Sequence, residues 1–223
     1  RAERSTPGER ISPMRGQNDF PSLVALDGGR LLTAWVNFDN DRNEILTRAF
    51  DGREWGPVRA LATPHTDIFH VKLARTKSGG AMAVWSAQVD GNWDVYSSAW
   101  VNGSWQAPQR LSSDAQPDIY PAAASDAKGN VWAVWQGFRN GKSDIFARRH
   151  NGTEWLNEER VSSGPGNDWL PAIAADGAGK VHVGWDTYDK GNYDVALRTW
   201  SDGQWSAVTP IANSLKFEAY LSL

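Results

Sequence analysis

Tryptophan recurs every 50 residues along this chain, in two columns: Trp35, Trp85, Trp135 and Trp185, then Trp55, Trp105, Trp155 and Trp205. Three further columns keep the same period: Gly29, Gly79, Gly129 and Gly179; Glu44, Asp94, Asp144 and Asp194; and Ile11, Leu61, Leu111, Val161 and Ile211. Five columns in register define one supersecondary unit used repeatedly, each copy burying its apolar face against the next. The one slip precedes the first copy, where Asn18-Asp19-Phe20-Pro21 is a residue shorter than Asn167-Asp168-Trp169-Leu170-Pro171.

Within a unit the strand signals are short and separated by turn chemistry. In the third copy Tyr120 to Ala124 is a small-residue strand, and Asp126-Ala127-Lys128-Gly129 is a turn. Val131 to Trp135 is apolar at every position, as suits a strand covered on both faces. A loop over Gly137 to Ser143 then leads to a third strand, Asp144 to Arg149. Asn151-Gly152 reads as a tight hairpin turn, because both residues tolerate positive φ, and Asp51-Gly52, Asn102-Gly103 and Asp202-Gly203 are its equivalents. A charged fourth strand follows near Glu159 to Ser162, which suits an outer edge where charge discourages pairing with other chains.

Four antiparallel strands, graded from small and apolar to charged, match a propeller blade read from axis to rim, with Trp filling the widening space between blades. The expectation is therefore an all-β chain, a β-propeller of four-stranded antiparallel blades in one domain over 1–223. Its blades span 17–63, 66–113, 117–163 and 167–213, with terminal strands of a fifth at 8–13 and 216–223. The fifth would hold strands one and four without two and three. This predicts a partial propeller, completed either by further blades or by a second copy in a homo-oligomer.

Composition removes several classes of function. A formal net charge of -3 gives no basic footprint for nucleic acid. With no Cys, disulfides, thiolate metal sites and Cys nucleophiles are excluded. Apolar runs are far shorter than a membrane-spanning helix needs, so no membrane insertion is expected. The opening Arg-Ala-Glu-Arg-Ser lacks the apolar segment of a signal peptide, which is compatible with a mature secreted protein, an excised segment or a cytoplasmic protein. The four His show no metal-ligand spacing, and neither a Gly-x-Ser-x-Gly elbow nor a phosphate-binding loop before a helix occurs.

The third-strand phrases Gly191-Asn192-Tyr193-Asp194-Val195, Gly91-Asn92-Trp93-Asp94-Val95-Tyr96 and Lys142-Ser143-Asp144-Ile145-Phe146 resemble the Asp-hydrophobic-aromatic signature of TolB-like propeller repeats. That resemblance implies six- to eight-bladed propellers of secreted or periplasmic bacterial proteins, often joined to a hydrolase or serving as a protein-binding platform. The same general fold occurs in sialidases. Here His150-Asn151-Gly152-Thr153-Glu154-Trp155 departs from their Asp-box, and Arg10-Ile11-Ser12-Pro13 approaches their Arg-Ile-Pro motif on the wrong strand. The Trp-bearing outer hairpins are similar, more loosely, to those of fucose-binding propeller lectins.

Two acidic columns are candidates for chemistry. Asp118, Asp168 and Glu218, with Asp19 and Asp67 nearby, precede the first strands, where several carboxylates could converge at one mouth and bind a cation or act as acid and base. The competing reading is that each caps backbone N–H groups in its own turn. Glu44, Asp94, Asp144 and Asp194 read as fixed acceptors locking the preceding loop. Asp39 to Glu44 alternates oxygen ligands as calcium loops do, but lacks their Gly and distant Glu, and no metal or other cofactor is expected.

Positions that break the repeat are stronger functional candidates, because function is grafted onto individual blades. After the first Trp column the copies read Val36, Ser86, Gln136 and Asp186, then Phe38, Gln88, Phe138 and Tyr188 two residues on. Arg139, Asp186, Tyr188, Trp93 and Trp169 give one mouth aromatic and charged character, which suits a sugar or a protein hot spot. The expected ligand-binding set is Asp118, Asp168, Asp186, Tyr188, Arg139 and Trp169, with no catalytic residue assigned. The expected function is a non-catalytic module binding protein or glycan. The alternatives are the propeller part of a secreted hydrolase, or a self-assembling structural segment.

Overall fold

The computed structural model describes residues 8–63, 67–189 and 191–223. His65, and the expected start of the second unit at residue 66, lie outside the described residues.

The first sheet holds β1 (Gln17–Ala25), β2 (Leu31–Asp39), β3 (Arg42–Phe50) and β4 (Arg59–Leu61). The second holds β5 (Ile68–Arg75), β6 (Ala81–Val89), β7 (Asn92–Val101) and an outer strand in two pieces, β8 (Ser104–Trp105) and β9 (Gln109–Arg110). The third holds β10 (Asp118–Ser125), β11 (Val131–Arg139), β12 (Lys142–His150) and β13 (Glu159–Arg160). The fourth holds β14 (Asn167–Ala175), β15 (Val181–Asp189), β16 (Asn192–Ser201), and a divided outer strand, β17 (Gln204–Trp205) and β18 (Thr209–Ala212). All pairings are antiparallel, and the only helical turn among the described residues is Asp27–Gly29. The inner strands β1, β5, β10 and β14 lie side by side in chain order. The architecture is all-β and propeller-like.

The Trp columns explain why the sheets stack. Trp85 packs on the preceding sheet against Ile45 and Leu61. Trp135 does the same against Val95 and Leu111, and Trp185 against Ile145 and Val161. The Leu/Val column of one sheet thus receives the Trp of the next, which accounts for their common period. Each indole buries about 150–250 Å², an upper estimate of about 4–6 kcal/mol in removed apolar surface. The second Trp column ties rims together: Trp105 Nε1 donates to Thr47 Oγ1 (3.2 Å) and Trp155 Nε1 to Ser97 Oγ (3.1 Å). Ala147 stands at the next equivalent, so Trp205 Nε1 donates to Glu159 instead (2.7 Å).

Two local expectations change. The loop over 137–143 is a two-residue hairpin: β11 and β12 pair down to Arg139 and Lys142, and Asn140-Gly141 turns with φ of 54° and 76°. The strand signal was hidden because Gly137 lies inside the strand, close to Arg139 and Asp118. The Asx-Gly turns also split in two. Asn102-Gly103 and Asp202-Gly203 both adopt positive φ and close tight hairpins. Asp51 and Asn151 instead accept N–H bonds from Arg53 and Glu54, and from Thr153 and Glu154, which makes a wider turn.

The terminal segments sit in repeat-equivalent positions. Arg48 Nη1 donates to the Ile11 carbonyl (3.3 Å), just as Arg198 Nη1, 150 residues on, donates to that of Val161 (2.7 Å). The Tyr220 N–H donates to Asp186, as Leu170 N–H does to Gln136.

Trp35 and Trp135 donate to Asn18 (2.8 Å) and Asp118 (3.0 Å), whereas Ile68 stands at the matching place for Trp85, whose Nε1 has no partner among the described residues. Trp135→Phe should therefore lose about 1–2 kcal/mol more stability than Trp85→Phe in urea unfolding. Equal losses would mean that the indole–carboxylate bond contributes nothing.

Candidate functional site

Every inner strand is broken at the same place. Its register slips between Asp19 and Ser22, Phe69 and Lys72, Ile119 and Ala122, and Trp169 and Ala172. At each slip one residue adopts left-handed backbone: Phe20 (φ 54°), His70 (51°), Tyr120 (54°) and Leu170 (50°), with Tyr220 (67°) continuing the 50-residue period. For a bulky L-residue this costs about 1–2 kcal/mol. Pro21, Pro121 and Pro171 follow three of these residues, where a missing N–H does least harm because the ladder is already interrupted.

The bulges bring side chains of neighbouring sheets together. Phe20 lies 4.8 Å from Phe69 and 4.3 Å from His70, and Phe69 and His70 lie 5.4 and 5.5 Å from Tyr120 (ring centroids). A second chain of rings runs through Trp169, Tyr193 (5.4 Å), Phe217 (5.0 Å from Tyr193) and Tyr220, with Tyr188 4.9 Å from Tyr193. Beside it opens a cavity of about 530 Å³ whose walls include Tyr120, Phe138, Trp169, Tyr193, Phe217 and Tyr220. Its polar side chains other than tyrosine are Gln136 and Asp186. Apolar rings with a few placed polar groups make a surface for a ligand with both C–H faces and hydroxyls.

Of the six expected ligand-binding residues, Trp169 and Asp186 line this cavity and Tyr188 lies beside it, its ring tilted against that of Trp169. Asp186 is buried, and its carboxylate accepts the N–H of Tyr220 (2.9 Å). Asp118, Asp168 and Arg139 lie elsewhere. Asp118 is fully buried between sheets, accepting from Trp135 and pairing with Arg139 (2.9 Å). Arg139 also pairs with Asp114 (3.1 Å) and covers the Phe146 ring. Asp168 is 1% exposed. The acidic column therefore does not converge at the mouth: Glu218 caps Ser214, and Asp67 accepts from Asn43. Asp94 and Asp144 bind Ser112 and Ser162 of the outer edge, so they anchor the strand that follows as well as the preceding hairpin. Among the described residues no group of three or more His, Asp or Glu is placed to hold a metal ion.

Sequence reasoning missed Tyr120, Gln136, Tyr193, Phe217 and Tyr220 as cavity walls. One signal was available: Tyr120 and Tyr220 interrupt small-residue strands at a fixed period.

Burial pushes the Asp118 carboxyl up to about 6, although the Arg139 guanidinium opposes it. Its folded pKa exceeds the unfolded value of about 3.9, so the stability it contributes is present below that value and lost as pH rises through about 6. His70 runs the other way: burial, with Lys72 beside it, lowers it to about 4, so its contribution is present above about 6.5 and lost as pH falls. Asp118→Asn removes only the first effect. Between pH 4 and 6 the melting temperature of this variant should rise relative to that of the parent protein, and a difference independent of pH would contradict the assignment.

No protein-family model matches the chain, and no curated protein matches it in sequence. Solved structures do. A protein of unknown function from Dyadobacter fermentans DSM 18053 superposes with a TM-score of 0.68 at 14% identity, over 89% of this chain and 70% of that one. The α-L-arabinofuranosidase Arb93A from Fusarium graminearum gives 0.66 at 12%, over 87% and 66%. A family PL25 ulvan lyase gives 0.61 at 12%, over 95% and 61%. The chain thus spans 61–70% of these neighbours' lengths, and at such identities the likeness establishes the propeller-like fold. The expectation of a non-catalytic module does not stand against these findings: the two neighbours of stated activity are enzymes that act on glycans.

Proposed function

We propose that this chain is part of a glycan-active propeller enzyme and holds its carbohydrate at the aromatic mouth between the third and fourth sheets. The observation that carries the reading is the cavity of about 530 Å³ walled by Trp169, Tyr193 and Phe217, with Gln136 and Asp186 as hydrogen-bonding groups. Sugar rings present C–H faces that stack on aromatic rings, and their hydroxyls need a few fixed polar partners. The Fusarium enzyme has been seen with arabinobiose and the lyase with -[GlcA(1-4)Rha3S]-, which supports a saccharide as the occupant of this fold. A polymeric glycan does not cross membranes, so the protein works outside the cytoplasm.

Within the reading, Trp169 and Tyr193 supply the stacking platform, Tyr188 extends it at the rim, and Asp186 holds the segment at Tyr220 against the cavity. Asp118 and Arg139 act behind this surface by fixing the sheets that carry it, and Asp168 lies outside the lining of the cavity.

Arabino-oligosaccharides and ulvan oligosaccharides, titrated calorimetrically, are the direct test. Trp169→Ala and Tyr193→Ala should each weaken binding of the preferred glycan tenfold or more. Failure of both glycan classes to bind, or binding unchanged in both variants, would sink the proposed mouth. Release of new chain ends from the bound glycan tests the enzymatic half, and a bound glycan that is never cleaved would remove it.

A further inference from the structure

The third sheet provides an internal template for a second site. There Arg139 fills the space beside Asp118: its guanidinium pairs with Asp118, Asp114 and Glu158 (3.6 Å) and lies 4.5 Å over the Phe146 ring. Asp144, on the same sheet, is neutralised by Lys142 (2.7 Å) and Arg160 (2.8 Å). Fifty residues on, the acids persist as Asp168 and Asp194, but none of these three cations is kept at its position: Asp189 stands for Arg139, Asn192 for Lys142 and Pro210 for Arg160. Ala196 also replaces the Phe146 ring, Val208 replaces Glu158, and Gly164 replaces Asp114.

The fourth sheet shows a cavity of about 340 Å³ where the third has Arg139 and Phe146, lined by Asp168, Asp189, Asp194, Trp185, Ala196 and Val208 among others. No described Lys or Arg lines it. The nearby Lys142 ammonium is committed to Asp144 and to the Gly164 carbonyl (2.6 Å). Among the described residues Asp168 Oδ2 is buried with no hydrogen-bond partner, a costly arrangement for a carboxylate. Elsewhere the chain satisfies comparable acids with arginine: Asp94 has Arg110 (2.7 Å), and Asp39, the equivalent of Asp189 in the first sheet, has Arg15 (2.9 Å). Pro165 stands in the fourth sheet where Arg15 stands in the first.

We propose that the cavity between the third and fourth sheets binds a guanidinium group, taking the place that the Arg139 side chain fills in the third sheet. The cation meets the free oxygen of Asp168 from inside and the acids Asp189 and Asp194 toward the hairpin, while Trp185, Ala196 and Val208 accept the methylene stem. A planar fork of N–H donors reaches separated carboxylates as a compact ammonium does not, so the site prefers arginine to lysine. The ligand is an arginine side chain, either of the free amino acid or displayed on a peptide or protein loop. This site is separate from the aromatic mouth and does not depend on the glycan reading.

The probes are N-acetyl-arginine amide, an arginine peptide, and the citrulline and lysine amides, followed by amide-resonance shifts. The expected result is saturable binding of the arginine probe, at least tenfold weaker for citrulline and several-fold weaker for lysine, with shifts confined to the cavity walls. Peptide binding tighter than the amide would assign the site to a displayed arginine, and equal affinity to the free amino acid. Asp189→Asn and Asp168→Asn should each weaken the interaction tenfold or more. Asp168→Asn should also raise the melting temperature, because it removes a buried charge whose Oδ2 has no hydrogen-bond partner among the described residues. Asp189→Arg should abolish binding and stabilise the fold by regenerating the third-sheet pair. Absence of arginine binding, equal binding of citrulline, or full affinity in Asp189→Asn would overturn the proposal.

Discussion

The bulge in each inner strand is the constraint on which the mouth of this molecule depends. A regular strand would alternate its side chains between sheet faces, and Phe20, His70, Tyr120, Leu170 and Tyr220 would be absorbed into the inter-sheet core. One left-handed residue per strand breaks that alternation and brings adjacent side chains together across neighbouring sheets. The backbone strain is offset where the preceding sheet offers an acceptor to the freed N–H: Gln136 for Leu170 and Asp186 for Tyr220. Where Ser86 occupies that column its hydroxyl is buried without a partner, so the clip is built selectively.

Repetition and departure from it carry different information. The column of Trp on Leu/Val holds sheets to one another, and in the second and third units Asp on the outer-edge Ser holds a strand to its own sheet. Departures concentrate in the third and fourth units. The third fills one interface with Arg139 and Phe146, while the fourth leaves the same interface open and acidic. The aromatic mouth likewise belongs to these two units and the 217–220 segment. Four similar sheets therefore present an asymmetric surface.

The fold was readable because a strict period couples residues that touch. Trp135 meets Leu111, and Trp185 meets Val161, at fixed separations, so packing partners fall in register along the chain. Strand limits were less readable: Gly137 looks like a loop residue, yet it sits mid-strand to admit Arg139 and Asp118. The site was read in part. Trp169, Asp186 and Tyr188 stood out as irregular positions and do gather at the mouth. Asp118, Asp168 and Arg139 looked equally irregular or acidic, and nothing in their order shows that they face a neighbouring sheet.

By itself the sequence determined the repeated four-stranded unit, its stacking through tryptophan, and the absence of thiol chemistry. These follow from local alternation, turn residues and composition, which need no knowledge of what stands opposite. The tertiary structure alone decided which carboxylates are satisfied and which are not. Asp118 and Asp168 occupy the same place in consecutive repeats, yet one is locked by Arg139 and the other keeps a buried oxygen without a donor among the described residues. The state of a carboxylate is set by the charge and volume of its spatial neighbours, which here lie on other strands and the next sheet.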